Sequence, residues 1–328
     1  RDMAIDWGTA LSNLTSVTVL MFVIGAVAGR LGLHVRIPEP IYAAITLYLL
    51  FGIGLKGGVQ LRKEISWDVV PPALTAIALG IVIPLAAYAV LKFVRGLSTV
   101  DRASLSAHYG STSLVTFSAA LVYLDASGIP FEGFAATLLV ILEIPGLIVG
   151  ILLGTRADAS ASKGNLAESL KEIFFGKTVY LLLGGLIVGL ITGQAGYERV
   201  EIFYSDLLPG ILAFFLLNLG QIAGEQLDVF KRTGLGLAVF GILFPLAAGT
   251  LGAIAGTAAG MSVGGATILA VLCASASYIA APAAVGIALP KANLATSIAP
   301  SLGVTFPFNL IVGIPVYATI AAQAAKFL

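Results

Sequence analysis

The chain has 328 residues, 58% of them hydrophobic and only 11% charged, with a mean hydropathy of +1.01 and a formal net charge of +1. Charge at less than half the roughly 25% usual in soluble domains excludes an ordinary cytosolic globule, and the lack of basic or acidic runs excludes a nucleic-acid partner. What remains is an integral membrane protein, whose 38 glycines and 14 prolines suit spans that pack through small residues and break where function needs it.

Charges and turn residues divide the apolar runs into ten predicted spans. The first, 15–33, carries Gly25 and Gly29 at G-x-x-x-G spacing, which predicts close helix packing. The second, 40–61, contains Lys56, and the third, 69–93, contains Pro84. The fourth, 103–123, is polar at its middle, where His108, Tyr109, Gly110, Ser111, Thr112 and Ser113 weaken a helix. The fifth, 133–154, holds Glu143 followed by Ile144 and Pro145. A polar linker follows: Asn165 and Glu168 resemble a capping box, and Leu166, Leu170, Ile173 and Phe174 share one face. A short amphipathic helix lying on the inner leaflet is expected there, or else a dock for a soluble regulator. The sixth span, 176–193, carries Gly185 and Gly189, and the seventh and eighth are 207–227 and 234–257. The ninth, 264–289, holds Cys273, read as a small buried hydrophobe, and then stalls at Ser275, Ala276, Ser277 and Tyr278, with Pro282 close behind. The tenth, 294–322, contains Asn309. No cleavable signal peptide is read at the start, and Arg1 in place of Met points to a missing or tag-derived beginning.

The halves repeat. Tyr48 to Leu61 falls on Phe214 to Leu227, matching Leu50 with Leu216, Gly54 with Gly220, Gly58 with Gly224, Gln60 with Gln226 and Leu61 with Leu227. Ala78 to Ala87 falls on Val239 to Ala248, matching Gly80 with Gly241 and Pro84 with Pro245. Five spans in each half is an odd number, so the repeats insert in opposite directions. The expected fold is an all-α membrane protein of ten transmembrane helices in an inverted 5+5 repeat, with helices 4 and 9 interrupted and crossing. Its units are 1–154, a cytoplasmic linker 155–177 and 178–328. Loops after odd-numbered spans hold twelve of the eighteen Lys and Arg, Lys231 and Arg232 among them, which places those loops in the cytoplasm and both termini outside.

Two broken helices that cross bring half-helix N-termini to one spot, where backbone N–H groups bind anions while freed carbonyls face the other way and suit sodium. The bland alternative is that these hydroxyls merely bond back to their own helices or across to neighbours. Glu143 inside a span reads as an ion ligand or proton carrier, or as an acid that snorkels or bonds to a neighbouring span. The repeat sets Asn309 opposite it. Lys56 and His108 stay ambiguous, since each can reach an interface and a lone histidine serves structure as readily as proton relay. No metal-ligand spacing, phosphate loop or nucleophile elbow is present, so an enzyme is not expected.

Several stretches resemble the SbtA-type sodium-dependent bicarbonate transporters: Ile37, Pro38 and Glu39; Ile53 to Gly58; Gly110, Ser111 and Thr112; Glu143, Ile144 and Pro145; Pro290, Ala292 and Asn293; and Pro307, Ile314 and Pro315. The resemblance implies a core domain moving against a scaffold, an elevator-like trimer in the bacterial inner membrane, and sodium-coupled bicarbonate uptake with no other cofactor. Carried onto this chain, substrate binding falls on Gly110, Ser111, Thr112, Ser113, Ser275, Ala276, Ser277 and Tyr278, and sodium binding on Glu143, Asn309, Ser111 and Ser277. Two features depart from the family. Tyr278 stands where it shows an aspartate, and its long cytoplasmic insertion is reduced to Gly154 through Lys177, which weakens the expectation of a PII-like regulator. The rival readings are a sodium- or proton-coupled organic-anion symporter and a membrane sensor that kept the fold without transport.

Overall fold

The computed structural model describes residues 15–64, 66–157, 163–225 and 234–328. Gln226, Leu227, Lys231 and Arg232 of the sequence reading lie outside the described residues, as does part of the linker. Every regular element among the described residues is helical, in the order α1 (Val17–Arg30), α2 (Glu39–Glu64), α3 (Val70–Val90), α4 (Thr99–Gly110), α5 (Leu114–Ala126), α6 (Ala135–Ala157), α7 (Lys163–Phe175), α8 (Lys177–Tyr197), α9 (Leu208–Glu225), α10 (Leu235–Ala258), α11 (Val263–Ala274), α12 (Ala280–Ala288) and α13 (Leu294–Phe327). Seven helical stretches among these residues are long and apolar enough to cross a membrane. The predicted spans 1, 4 and 9 fall on shorter helices. In spans 4 and 9 the reason is that each is two pieces, α4 with α5 and α11 with α12.

The helices sort into two bodies by what they pack against. α1 lies along α9 and α2 along α8, and the seam of each pair is made of glycine. A Cβ at Gly25 or Gly29 would strike the backbone of α9 at Leu217 and Gln221, and one at Gly220 or Gly224 would strike Phe22 and Ala26. Gly54 and Gly58 meet Leu182 and Leu186 in the same way, and Gly185 and Gly189 meet Phe51 and Leu55. Backbones come this close only where no side chain intervenes. The order of these contacts also gives direction, because later residues of α1 meet later residues of α9, and the same holds for α2 and α8. Both pairs therefore run parallel.

The second body is built from α3, α4 and α6 on one hand and α10, α11 and α13 on the other, with matching contacts within each set. α4 and α11 are buried on all sides over Ala103–Gly110 and Gly264–Ala274, whereas α3 and α10 keep an apolar face outward at Leu74, Ile77, Val82, Leu243 and Ile254. Outward apolar faces of this kind suit lipid, and all-round burial suits an interior helix. Ser98 and Ser262 start α4 and α11 alike, accepting from the N–H of Asp101 at 3.0 Å and of Gly265 at 3.1 Å. Pro84 and Pro245 sit inside α3 and α10, and the Pro84 carbonyl is met by Ser106 Oγ at 2.5 Å. α13 is interrupted by two wider turns, Ser301–Thr305 and Asn309–Gly313, in a stretch that also carries Pro300, Pro307 and Pro315.

The linker helix α7 is held by protein along its apolar side, while Phe174 and Phe175 stay exposed. Its face of Leu166, Leu170 and Ile173 packs on α12 and α6, and buried Ser169 Oγ donates to the Ala284 carbonyl at 2.8 Å. The apolar stripe was legible, but short α12 needs cover on that side and takes it.

Candidate functional site

Both predicted breaks are present. α4 ends at Gly110 and the chain is extended at Ser111 (φ −93°, ψ 175°) and Ser113 (φ −108°, ψ 112°) before α5 begins. α11 ends at Ala274 and the chain is extended at Ser275 (φ −86°, ψ 165°) before α12 begins. At about 1.5 Å per residue, pieces of 12 and 13 residues reach roughly 18–20 Å each, little over half a hydrocarbon core.

Two hydrogen bonds join the breaks. Ser113 N–H donates to Ser275 Oγ at 3.0 Å, and Ser277 N–H donates to the His108 carbonyl at 2.8 Å. The extended segments thus satisfy each other's backbone in the protein interior, where water cannot. Room for the crossing comes from glycine: Gly110 faces Pro84, whose Cβ would lie 2.6 Å from an added one, and Gly146 on α6 faces the Gly110 carbonyl.

The hydroxyls divide by what they do. Ser275 Oγ donates to the Leu272 carbonyl at 2.9 Å and accepts from Ser113, so both its capacities are used in clamping the breaks. Ser113 caps α5, accepting from Thr116 N at 3.2 Å and Thr116 Oγ1 at 2.9 Å. Ser277 caps α12, accepting from Ala280 N at 3.2 Å and Ala281 N at 3.1 Å. Each cap keeps its own O–H as a donor, beside a helix N-terminus that favours negative charge.

Thr112 Oγ1 donates to Glu143 Oε2 at 2.9 Å, while Glu143 Oε1 is buried without a hydrogen-bond partner. Ser111 Oγ is buried and unpartnered too, and the buried Tyr278 hydroxyl lies beside Ser113 without a hydrogen bond of normal geometry. Orphaned oxygens of this kind are uncommon in folded interiors and ask for an explanation. Oxygen donors, one of them a carboxylate, are what a hard cation such as sodium takes, so the chemistry of Glu143 with Thr112 fits that ion, whereas Ser111 does not line the cavities that Glu143 lines.

Of the residues nominated from sequence, Thr112, Ser113, Glu143, Ser277 and Tyr278 line one narrow cleft between the two bodies, with Thr46 and Leu50 of α2 and Thr178 of α8. Its free volume of about 10 Å³ is scarcely that of one water. Glu143, Thr178, Ile279 and Ala280 also line an adjoining cavity of about 210 Å³ that reaches Glu172, Gly176 and Lys177 at the corner of α7 and α8. Ala276 turns into an apolar cluster with Leu105, Tyr109 and Phe240 and contributes only backbone to the break. Asn309 is not among the residues lining the cleft. Its Nδ2 donates to the Ala274 carbonyl at 2.8 Å and its Oδ1 accepts from the Tyr317 hydroxyl at 3.0 Å, so it holds the end of α11. His108 Nδ1 donates to the Ser104 carbonyl at 2.8 Å, one turn back along its own helix.

Sequence reasoning missed Thr46 and Thr178, isolated threonines that nothing in their own segments marks out. It also missed two buried links that tie α4 to α13, Ser104 Oγ to Ser297 Oγ at 2.7 Å and Tyr109 Oη to Thr305 Oγ1 at 2.8 Å. The spacing of about 193 residues in these pairs has no local signature.

The family model described as the Na+-dependent bicarbonate transporter superfamily matches residues 17–322. No curated protein matches the chain.

Proposed function

The chain belongs to the Na+-dependent bicarbonate transporter superfamily, a multi-pass membrane family, and on that premise we propose that it is a secondary transporter that couples sodium to the uptake of bicarbonate by alternating access. The observation that carries this reading is the pair of crossed breaks, which bring two capped helix N-termini and an incompletely bonded carboxylate to one cleft on the seam between two bodies. The anion rests at the O–H groups of Ser113 and Ser277 and the first turns of α5 and α12, with the Tyr278 hydroxyl as a further donor. Sodium takes Glu143, Thr112 and nearby carbonyls, while Gly110, Ser275, Ala276 and Asn309 hold the backbone in place.

Ten spans in an inverted 5+5 repeat account for the parallel pairs. Consecutive spans run antiparallel, so helix one of the first half can lie parallel to helix two of the second only if the halves point opposite ways. The body of α1, α2, α8 and α9 serves as scaffold, and the body holding the breaks moves against it like an elevator, in a trimer embedded in the inner-membrane lipid. With both termini outside, the cavity of about 210 Å³ beside Glu143 opens toward the cytoplasm, so this is an inward-facing form. α7 occupies its own apolar stripe on α12, which leaves less of it for a PII-like regulator.

Uptake of labelled bicarbonate into proteoliposomes, with and without an inward sodium gradient, is the test. Accumulation only with the gradient is expected, equal uptake in both removes the coupling, and counterflow of organic carboxylates in place of bicarbonate moves the assignment to the rival symporter.

A further inference from the structure

Three cations sit on the later half of α2, and the fold treats one of them differently. Arg62 Nη1 donates to the carbonyls of Leu190 at 3.1 Å and Ile191 at 2.8 Å, where α8 is interrupted at Gly193 (φ 62°), and Lys63 Nζ donates to Gln194 Oε1 at 2.8 Å. These two are fixed to the scaffold. Lys56 has no hydrogen-bond or ion-pair partner among the described residues. It lines a cavity of about 310 Å³ between α2 and the α5–α6 corner, at the end of the molecule away from α7.

That cavity is built rather than incidental. Tyr48 stacks on Tyr204 at 5.4 Å and donates to the Phe203 carbonyl, which stiffens one wall, and Phe117 and Leu121 form the other. α2 and α6 come so near that a Cβ at Gly57 would lie 2.7 Å from that of Ala136. Gln60, one turn after Lys56 on the same helix face, adds an amide. The cavity's one carboxylate, Asp125, is exposed at the rim and makes no ion pair with Lys56. A half-buried ammonium about two turns from the helix end, facing mainly apolar walls, attracts an anion more strongly than a lysine standing free in water. None of the residues lining this cavity lines the cleft at the breaks, so the two are separate.

We propose that this cavity is a second anion site, in which the Lys56 ammonium and the Gln60 amide hold a small monovalent oxyanion, of bicarbonate or carboxylate type, on the face opposite the linker. The site concentrates the anion at that entrance while the breaks face the other way. It rests on the transport reading only for the direction of passage.

A cysteine placed at Ile129 on the cavity wall (Ile129→Cys), which leaves Lys56 and Gln60 in place, reports on it directly, because the native Cys273 is buried in the apolar core and stays unlabelled. The purified protein is reacted with an anionic and with a cationic methanethiosulfonate reagent. With Lys56 present the anionic reagent is favoured, and in the Lys56→Gln background the anionic-to-cationic rate ratio falls about 3- to 10-fold, the size of one partly screened charge nearby. Bicarbonate or acetate slows labelling with Lys56 present and not with Lys56→Gln, and Lys56→Arg keeps both effects. A ratio indifferent to Lys56, or protection that survives Lys56→Gln, overturns the proposal. Because labelling needs no transport, protection without sodium-driven uptake leaves this site standing and removes the proposed function, and uptake without protection does the reverse.

Discussion

The two breaks share a backbone path but not a chemistry. At the first, Ser111, Thr112 and Ser113 bring three hydroxyls, and Glu143 of α6 stands behind Thr112 with one oxygen unpartnered. At the second, Ala276 faces an apolar cluster, and the amide of Asn309 on α13 donates to the Ala274 carbonyl and accepts from the Tyr317 hydroxyl. One backbone path thus carries two sets of side chains. The first break brings the acid, and the second brings the Ser277 and Tyr278 hydroxyls to the cleft without a carboxylate.

The sharpest way to break that contrast is at Asn309. Asn309→Ala strips two buried groups of their partners, each worth about 1–3 kcal/mol, so unfolding in detergent is expected to show a loss of about 2–4 kcal/mol. The sodium concentration for half-maximal uptake stays unchanged in the surviving protein. A shift in sodium dependence with little loss of stability makes the second break the ion site instead.

Glu143→Gln is the converse. It keeps the shape and the Thr112 contact but removes the charge, and an interaction with a charged group is worth about 1.5–3 kcal/mol. Sodium affinity is expected to fall by about 10- to 100-fold, read as a rightward shift of sodium-dependent uptake or of sodium-induced thermal stabilisation. Unfolding without sodium is little changed, since a buried carboxylate with an unpartnered oxygen gives way to a neutral amide. Wild-type sodium dependence in this variant ends the assignment of the cation to the first break.

The sequence showed the breaks because glycine and clustered hydroxyls interrupt a helix locally, and the interruptions at Gly110 to Ser113 and Ser275 to Ile279 fall where they were expected, with Pro282 in the first turn of α12. It also showed the glycine seams, whose mates Gly54, Gly58, Gly220 and Gly224 are the positions that match between the two halves of the sequence. What stayed hidden is set by distant neighbours. The pairing of Asn309 with Ala274 and the inward turn of Ala276 depend on helices dozens of residues away, and so does the docking of α7 on α12. An offset of 166 set Asn309 opposite Glu143, yet the helix starts at Ser98 and Ser262 and the breaks at Ser111 and Ser275 align at 164. Those two residues separate polar groups by about half a turn, enough to send one to the cleft and the other to a carbonyl.

The smallest expected effect sharpens the contrast most, because it lies at the second break's contribution to the cleft. The Tyr278 hydroxyl is buried beside Ser113 without a hydrogen bond of normal geometry, while its ring packs edge-on against Phe306 at 5.8 Å. Tyr278→Phe keeps that ring contact and removes that hydroxyl, so unfolding is expected to be unchanged or slightly more resistant. If the hydroxyl donates to the bound anion, one hydrogen bond to a charged group, about 1.5 kcal/mol at the weak end, disappears, and the bicarbonate concentration for half-maximal uptake rises about 10-fold at saturating sodium. Uptake unchanged at every bicarbonate concentration shows Tyr278 to be a wall only. The anion is then held by the cap hydroxyls and first-turn N–H groups of α5 and α12, and the second break contributes no side-chain chemistry beyond Ser277.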